Sequence, residues 1–471
     1  MRTISLKNWF ACKDIKIPRL YLVGGTVRDL FLNNPPKDID LVCRGAKGFA
    51  GDLARCRNAA LVCMEKKPDE PCYRVVDRAD SGNFLDISEM RGSDICHDLN
   101  ERDFTIDAIA VEVKEDGSAG SVIDPLHGVE DIEKKIIKSV SDRSIISDPL
   151  RILRAVRLAA ALNFNIEKST MREMKGRAAL LKEVSAERVT AELMLILNTS
   201  RSANYFRQMD NLGILEVIFP EITMMKGCEQ NGFHHKDVWE HSLLAMENTE
   251  KILNELPEYF RKQSMEVAGN LNCNNRLQLL KLSALLHDTG KPATKSVDPD
   301  TGRITFHRHD KEGTKLIEGI AKRLKMSGRE RDYLVLLSAE HLQPLHLASE
   351  KAASSARMKW FRRMGDESVP ALILSMADVL SSLGPESGPG YRERHINWSK
   401  RSVMDYYERV KAQIERPDLV SGDDLIALGM KPGPEIGRVL EEIRDARDAG
   451  GISSREEAVA FARKCIPGRH P

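Results

Sequence analysis

Residues 21–41, YLVGGTVRDLFLNNPPKDIDL, decide how the rest of the chain reads. The apolar run 21–23 predicts a short strand, Gly24-Gly25 a tight turn, and the residues from Thr26 a helix that Pro35-Pro36 stops. A second strand is then expected to carry Asp38, Ile39 and Asp40. Residues i and i+2 of a strand share a face, so Asp38 and Asp40 point one way and Ile39 the other. Carboxylates ~6–7 Å apart repel by about 2–3 kcal/mol at an effective dielectric of roughly 20. A divalent cation between them removes that cost, and an all-oxygen donor set suits Mg²⁺. The glycine pair lets backbone N–H groups approach a triphosphate where a helix begins. A phosphate grip followed by metal carboxylates is an arrangement for handling nucleotides.

Around this stretch the chain is long and unremarkable in bulk. Its 471 residues imply several domains, and 42% hydrophobic with 30% charged residues is the composition of a soluble globular protein. No apolar run is long enough to span a membrane, and the opening MRTISLKNWFACKD lacks the apolar core of a secretion signal, so no membrane partner and a cytoplasmic location are expected. Nine cysteines without a CxxC pair fit reduced, packing thiols. A net charge of +1 neither announces nor excludes a nucleic-acid partner, because a local basic face matters more than the sum.

From Leu20 to about Lys138, strand-like segments at 61–64, 73–76, 84–87, 108–113 and 122–123 alternate with helical ones, which predicts an α+β head with a mixed sheet. Asp86, alternating with apolar neighbours in FLDI, is a candidate third carboxylate for Asp38 and Asp40. Glu101-Arg102-Asp103-Phe104-Thr105-Ile106-Asp107-Ala108 follows, then Asp124-Pro125 and Gly128. From Asp148 the pattern is helical for nearly the whole remaining length. SDPLRILRAVRLAAALNF predicts an amphipathic helix with Pro149 in its first turn, placing Asp148 and Arg151 on one face that Arg154 and Arg157 continue. A carboxylate can accept from an exocyclic amino group while a guanidinium donates to a ring acceptor. Such a pair admits cytosine and adenine and rejects uracil and guanine without a template.

A second constellation lies between about 232 and 383: His241, His287-Asp288, His309, His341 and Asp378. Imidazoles and carboxylates together suit one or two divalent transition-metal ions with a water to activate. A Gly/Pro-rich linker, GPESGPGYRERH, separates this region from a tail with Gly422-Asp423-Asp424-Leu425 and Gly429 to Gly437.

The LVGGxVRD…DxD stretch, the ERDFTIDA segment, DPxxG, Asp148-xx-Arg151 and Ser185-Ala186-Glu187-Arg188 with Glu192-Leu193 resemble, in order, the motifs of class II tRNA nucleotidyltransferases and bacterial poly(A) polymerases. The His/Asp series resembles the HD phosphohydrolase superfamily, and the tail resembles the tRNA-cradling end of the nucleotidyltransferases. Three positions depart from the pattern: Glu101 stands where an Arg is usual, Asp107 for Asn and Ser147 for Glu. The resemblance implies a nucleotidyltransferase head (1–140), a helical neck (141–230), an HD domain (231–385) and a helical tRNA-binding tail (386–471). In it, Asp38 and Asp40 hold Mg²⁺, with Asp86 as a further catalytic carboxylate. Gly24, Gly25, Arg28, Arg102 and Asp103 bind the nucleotide's phosphates and sugar, and Asp148 and Arg151, with Arg154 and Arg157, its base. His241, His287, Asp288, His309, His341 and Asp378 hold the HD metal. The partners implied are a tRNA 3′ end and CTP or ATP. In CCA-adding relatives a flexible loop follows the strand equivalent to 84–87. Here only residues 88–100 separate that strand from ERDFT, a shortening that implies addition of the two C residues alone, with full CCA, A-only and poly(A) synthesis as alternatives. A reading of another class is an HD phosphohydrolase whose head binds RNA without catalysis.

Overall fold

The computed structural model describes residues 4–11, 15–65 and 71–465. The chain forms two compact units, one of residues 1–199 with 208–218 and one of residues 200–207 with 219–471.

The first unit is α+β. Strands β1 (Leu20–Val23), β2 (Asp40–Cys43), β3 (Ala60–Glu65), β4 (Pro71–Val76), β5 (Phe84–Glu89), β6 (Ala110–Val113) and β7 (Ala119–Ile123) form a mixed sheet in the order β3-β4-β5-β2-β1-β6-β7. All pairs are antiparallel except β2–β5, which sets Asp40 opposite Asp86. Strand β1 is buried throughout, as a central strand covered on both faces must be. Helix α1 (Gly25–Phe31) follows β1 directly, and α2 (Ala46–Arg57) buries Ala46, Phe49, Ala50, Leu53 and Ala54, a helical apolar stripe, beside β4 and β5. Gly128 is needed for a close approach: a Cβ there would lie 2.1 Å from the Thr105 carbonyl oxygen. Asp124 caps the helix that opens at Gly128, accepting from the Gly128 and Val129 N–H groups at 2.7 and 3.0 Å.

Two sequence expectations are corrected here. Asp38 is not on the second strand, which begins at Asp40. The Thr26 hydroxyl donates to the Asp38 carbonyl at 3.0 Å and accepts from the Asp40 N–H at 2.8 Å, taking up backbone groups that a longer ladder would use. The helix expected from Asp148 begins at Arg151, and Asp148 is extended (φ −150°, ψ 95°). Pro149 is the cause, since the residue before a proline is driven out of the α region. Asp148 and Arg151 therefore do not share a helical face.

Among its described residues the second unit is helical apart from a hairpin, Lys295–Val297 with Ile304–Phe306, that the sequence pattern does not predict. Its long helices, Val238–Asn254, Arg276–Leu286, His309–Arg323, Gly328–Glu340 and Ser368–Ser381, pack on one another. The tail has its own small core of Val420, Leu425, Met430, Val439, Ile443, Ile452, Ala458 and Ala462. Seven described cysteines are free thiols, but Cys56 is disulfide-bonded, against the expectation of wholly reduced thiols. Among the described residues no helix is long and apolar enough to cross a membrane.

Candidate functional site

In the first unit the turn after β1 is the focus. Gly24 has φ +64° and ψ −141°, a backbone state that glycine reaches at least cost. A Cβ there would come within 3.2 Å of Arg102 Nη1 and 3.8 Å of Asp40 Oδ2, so the turn, the guanidinium and the carboxylate meet at one point. Arg102 is aimed by Asp98, which accepts from its Nε and Nη2 at 3.0 and 2.9 Å. Arg28 lies against Gly25 and donates to Asp29 and Asp107, the latter at 2.8 Å. Asp107, noted only as a lost amide in the sequence, thus holds Arg28; burial pushes its carboxyl up in pKa while Arg28 opposes. Asp38 is exposed and Asp40 half-buried. Both present the hard oxygen donors that Mg²⁺ takes. Asp86 is buried and bound bidentately by Arg74 at 2.8 Å to each oxygen, and Arg74 lies over the Phe84 ring. The third carboxylate therefore already has a cation, a pairing that arises only from the β4–β5 register.

The five remaining nucleotide-binding candidates each have a partner. Arg151 donates to Ser144 Oγ at 2.8 Å and to the Glu101 and Arg102 carbonyls at 2.8 and 3.1 Å. Asp148 accepts from Arg188 at 2.8 Å, and Arg157 pairs with Glu192 at 2.7 Å. Arg188 and Glu192 belong to the Ser185–Leu193 motif, which thus holds Asp148 and Arg157 directly. Arg154 pairs with Asp103 at 2.6 Å. Burial drives the Asp103 carboxyl upward, but Arg154 and Arg151 outweigh it and hold the pKa near 2 rather than 3.8. The folded pKa is depressed, so the stabilisation is present above about pH 4 and is lost as pH falls toward 2. Acid unfolding of Asp103→Asn should lack about 2 kcal/mol of this pH dependence, as followed by circular dichroism.

In the second unit, five elements bring the HD residues together. His241 comes from the Val238–Asn254 helix, and His287 and Asp288 follow Arg276–Leu286. His309 opens His309–Arg323, His341 ends Gly328–Glu340, and Asp378 lies on Ser368–Ser381. Gly290 makes this possible, since a Cβ there would lie 2.1 Å from the His309 carbonyl oxygen. His287, His309 and His341 donate from Nδ1 to the carbonyls of Ala284, Phe306 and Ser338, at 2.9, 2.8 and 2.6 Å. Each bond fixes the tautomer and turns an Nε2 lone pair inward. The Nε2 atoms of His309 and His341 then face each other at 3.2 Å, both as acceptors. Nε2 of His287 and both oxygens of Asp288 are buried and, among the described residues, meet no hydrogen-bond partner in bonding geometry. Two acceptors aimed at each other beside a buried carboxylate fit cations between them. Asp288 joins two groups, one with His241 and His287 and one with His309 and His341. Asp378 Oδ1 lies 3.0 Å from His241 Nε2. Burial would raise the Asp288 pKa, but His287 and Lys291 hold it well below its ordinary value. Burial takes His341 down to about 4. The cluster opens on a cavity of about 260 Å³ whose walls include Phe306, Tyr391, Phe233 and Lys291. Sequence reasoning missed Lys291, whose ammonium lies 2.6 Å from Asp288 Oδ2, and His234, which also lines the cavity.

The family model for the poly(A) polymerase head domain matches residues 20–138, that for the RNA- and SrmB-binding region of polymerase A residues 163–225, and that for the HD domain residues 238–383. The A-adding tRNA nucleotidyltransferase of Deinococcus radiodurans is 31% identical over 459 residues, 95% of each chain. The CC-adding tRNA nucleotidyltransferase of Thermus thermophilus is 30% identical over 448 residues, 93% of this chain and 92% of the relative. A solved structure of a CCA-adding enzyme with ATP shares the fold with a TM-score of 0.65 at 21% identity, covering 100% of this chain and 99% of that one. Head and HD centre together define a nucleotidyltransferase with an HD domain. The chain belongs to the tRNA nucleotidyltransferase family.

Proposed function

We propose that the protein adds the two C residues to tRNA 3′ ends from CTP, releasing pyrophosphate, in the cytoplasm. The observation that carries the reading is the connection after β5. Five residues, 90–94, join it to the helix Ile95–Asn100, and they are pinned. Arg44 donates to the Gly92 carbonyl at 2.8 Å and to the Ser93 carbonyl, and the Arg91 N–H donates to Asp98 at 3.1 Å. Gly92 packs so closely that a Cβ would lie 2.1 Å from the His97 ring. A segment this short and fixed lacks the freedom to re-form the pocket between C and A.

The division into head, neck, HD domain and tail drawn from the sequence is kept as part of this reading. Asp38 and Asp40 would hold Mg²⁺, which when bound neutralises triphosphate charge and acidifies the 3′-hydroxyl. Gly24 and Arg102, which meet beside Asp40, hold phosphates, while Arg28, tied to Asp29 and Asp107, keeps the Gly25 turn in place. Asp86 orients Arg74 next to that centre. Asp148, steadied by Arg188, accepts from the exocyclic amino group of the base, and Arg151 donates to its ring acceptor. Arg154 and Arg157, on the same helix, position Asp103 and Glu192. The tRNA is held by shape and backbone, so binding weakens steeply with salt. His241, His287, Asp288, His309, His341 and Asp378 would hold divalent transition metal for hydrolysis of a phosphate ester in the adjoining cavity.

The test is extension of tRNA transcripts ending at the discriminator base, at C or at CC, with each nucleoside triphosphate singly and together. Growth should stop after two C residues even with ATP present. Growth to CCA overturns the short-connection argument, and addition only to the CC end assigns A-addition instead.

A further inference from the structure

The six-residue HD set does not exhaust the histidines at that centre. His234, in the segment before the Val238–Asn254 helix, has a ring nitrogen within 4.8 Å of a ring nitrogen of His241 and a carboxylate oxygen of Asp378, all three mutually that close. Its ring stands edge-on to His241, with centroids 4.7 Å apart and planes at 83°. Its Nδ1 donates to Asn231 Oδ1 at 2.9 Å, an acceptor three residues earlier in the chain. His287, His309 and His341 each bond an acceptor at the same i−3 position. In all four Nδ1 is thereby the donor and Nε2 is left with its lone pair, which is how metal-ligating histidines are oriented.

The backbone that carries His234 is anchored on both sides. Gly384 and Glu386 N–H groups donate to the Phe233 and Gly232 carbonyls, each at 2.9 Å, and Lys291 Nζ donates to Gln230 at 2.7 Å. Gly384 is required for this docking, because a Cβ there would lie 2.3 Å from the Gly232 oxygen. The neighbouring His235 is exposed and has no part in the cluster.

We propose that His234 is a seventh metal ligand, joining His241 and Asp378 on the ion held at that end of the HD centre. The inference rests on the HD residues holding metal at all. His234 and Asp378 line the same cavity as His309 and His341, so this end of the centre also faces it.

The test uses the full-length protein, stripped with a chelator and reloaded with Co²⁺. Metal per chain, affinity against a competing chelator and the visible d–d spectrum are recorded for the wild type, His234→Ala and His235→Ala. Loss of His234 should weaken one ion on the order of tenfold to a hundredfold, the range for a perturbed metal shell. It should also change the d–d bands, while His235→Ala matches the wild type. His234→Ala with unchanged affinity and spectrum overturns the assignment and leaves His234 as a wall of the cavity. A wild type that takes up no ion overturns the metal centre itself, a failure of a different kind. If the alanine variant melts early, His234→Gln, which keeps much of the volume, is read by the same criteria.

Discussion

Asp40→Ala should lower nucleotide incorporation into tRNA by at least ~10³-fold, about 4 kcal/mol of transition-state stabilisation. Asp40 is the first residue of β2, its N–H is fixed by Thr26, and its carboxylate lies at the Gly24 turn where Arg102 points. Asp86, its register partner, cannot take over because Arg74 binds both its oxygens. Asp40 is half-buried at the mouth of the sheet, so the melting temperature should move little. Activity within tenfold of the wild type would place the transfer elsewhere.

Asp288→Ala should remove hydrolysis of phosphate esters by a similar factor and abolish tight metal uptake, while nucleotide addition is retained. Asp288 is shared by the His241/His287 and the His309/His341 groups. Its loss also leaves the buried Lys291 without its carboxylate, which costs about 3–5 kcal/mol in a comparable buried pair. Thermal melting and metal analysis separate the two effects, and Asp288→Asn retains the shape without the charge. The opposite pattern, with addition lost in Asp288→Ala and kept in Asp40→Ala, would favour an HD hydrolase with a non-catalytic RNA-binding head.

The strand–turn–helix of residues 20–31 was legible because its signals are local: an apolar run, a glycine turn and a proline stop. The HD set was legible because its residue types recur in a recognisable order. What escaped depends on contacts between distant segments. Arg74 reaches Asp86 only because β4 and β5 pair antiparallel. Arg188 reaches Asp148 from forty positions away. The position of Asp148 outside the helix has a purely local signal, since Pro149 drives the residue before it out of the α region. His234 and His235 are adjacent and chemically alike in the sequence; only the docking of their segment on residues 384–386 tells which one faces His241 and Asp378.

Pyrophosphate released per tRNA ending at the discriminator base, counted with CTP and ATP both present in excess, tests C addition most directly. Two should be released, with no more when the product is isolated and offered ATP alone. Three per tRNA would contradict the assignment to C addition, and none would contradict the transferase reading itself.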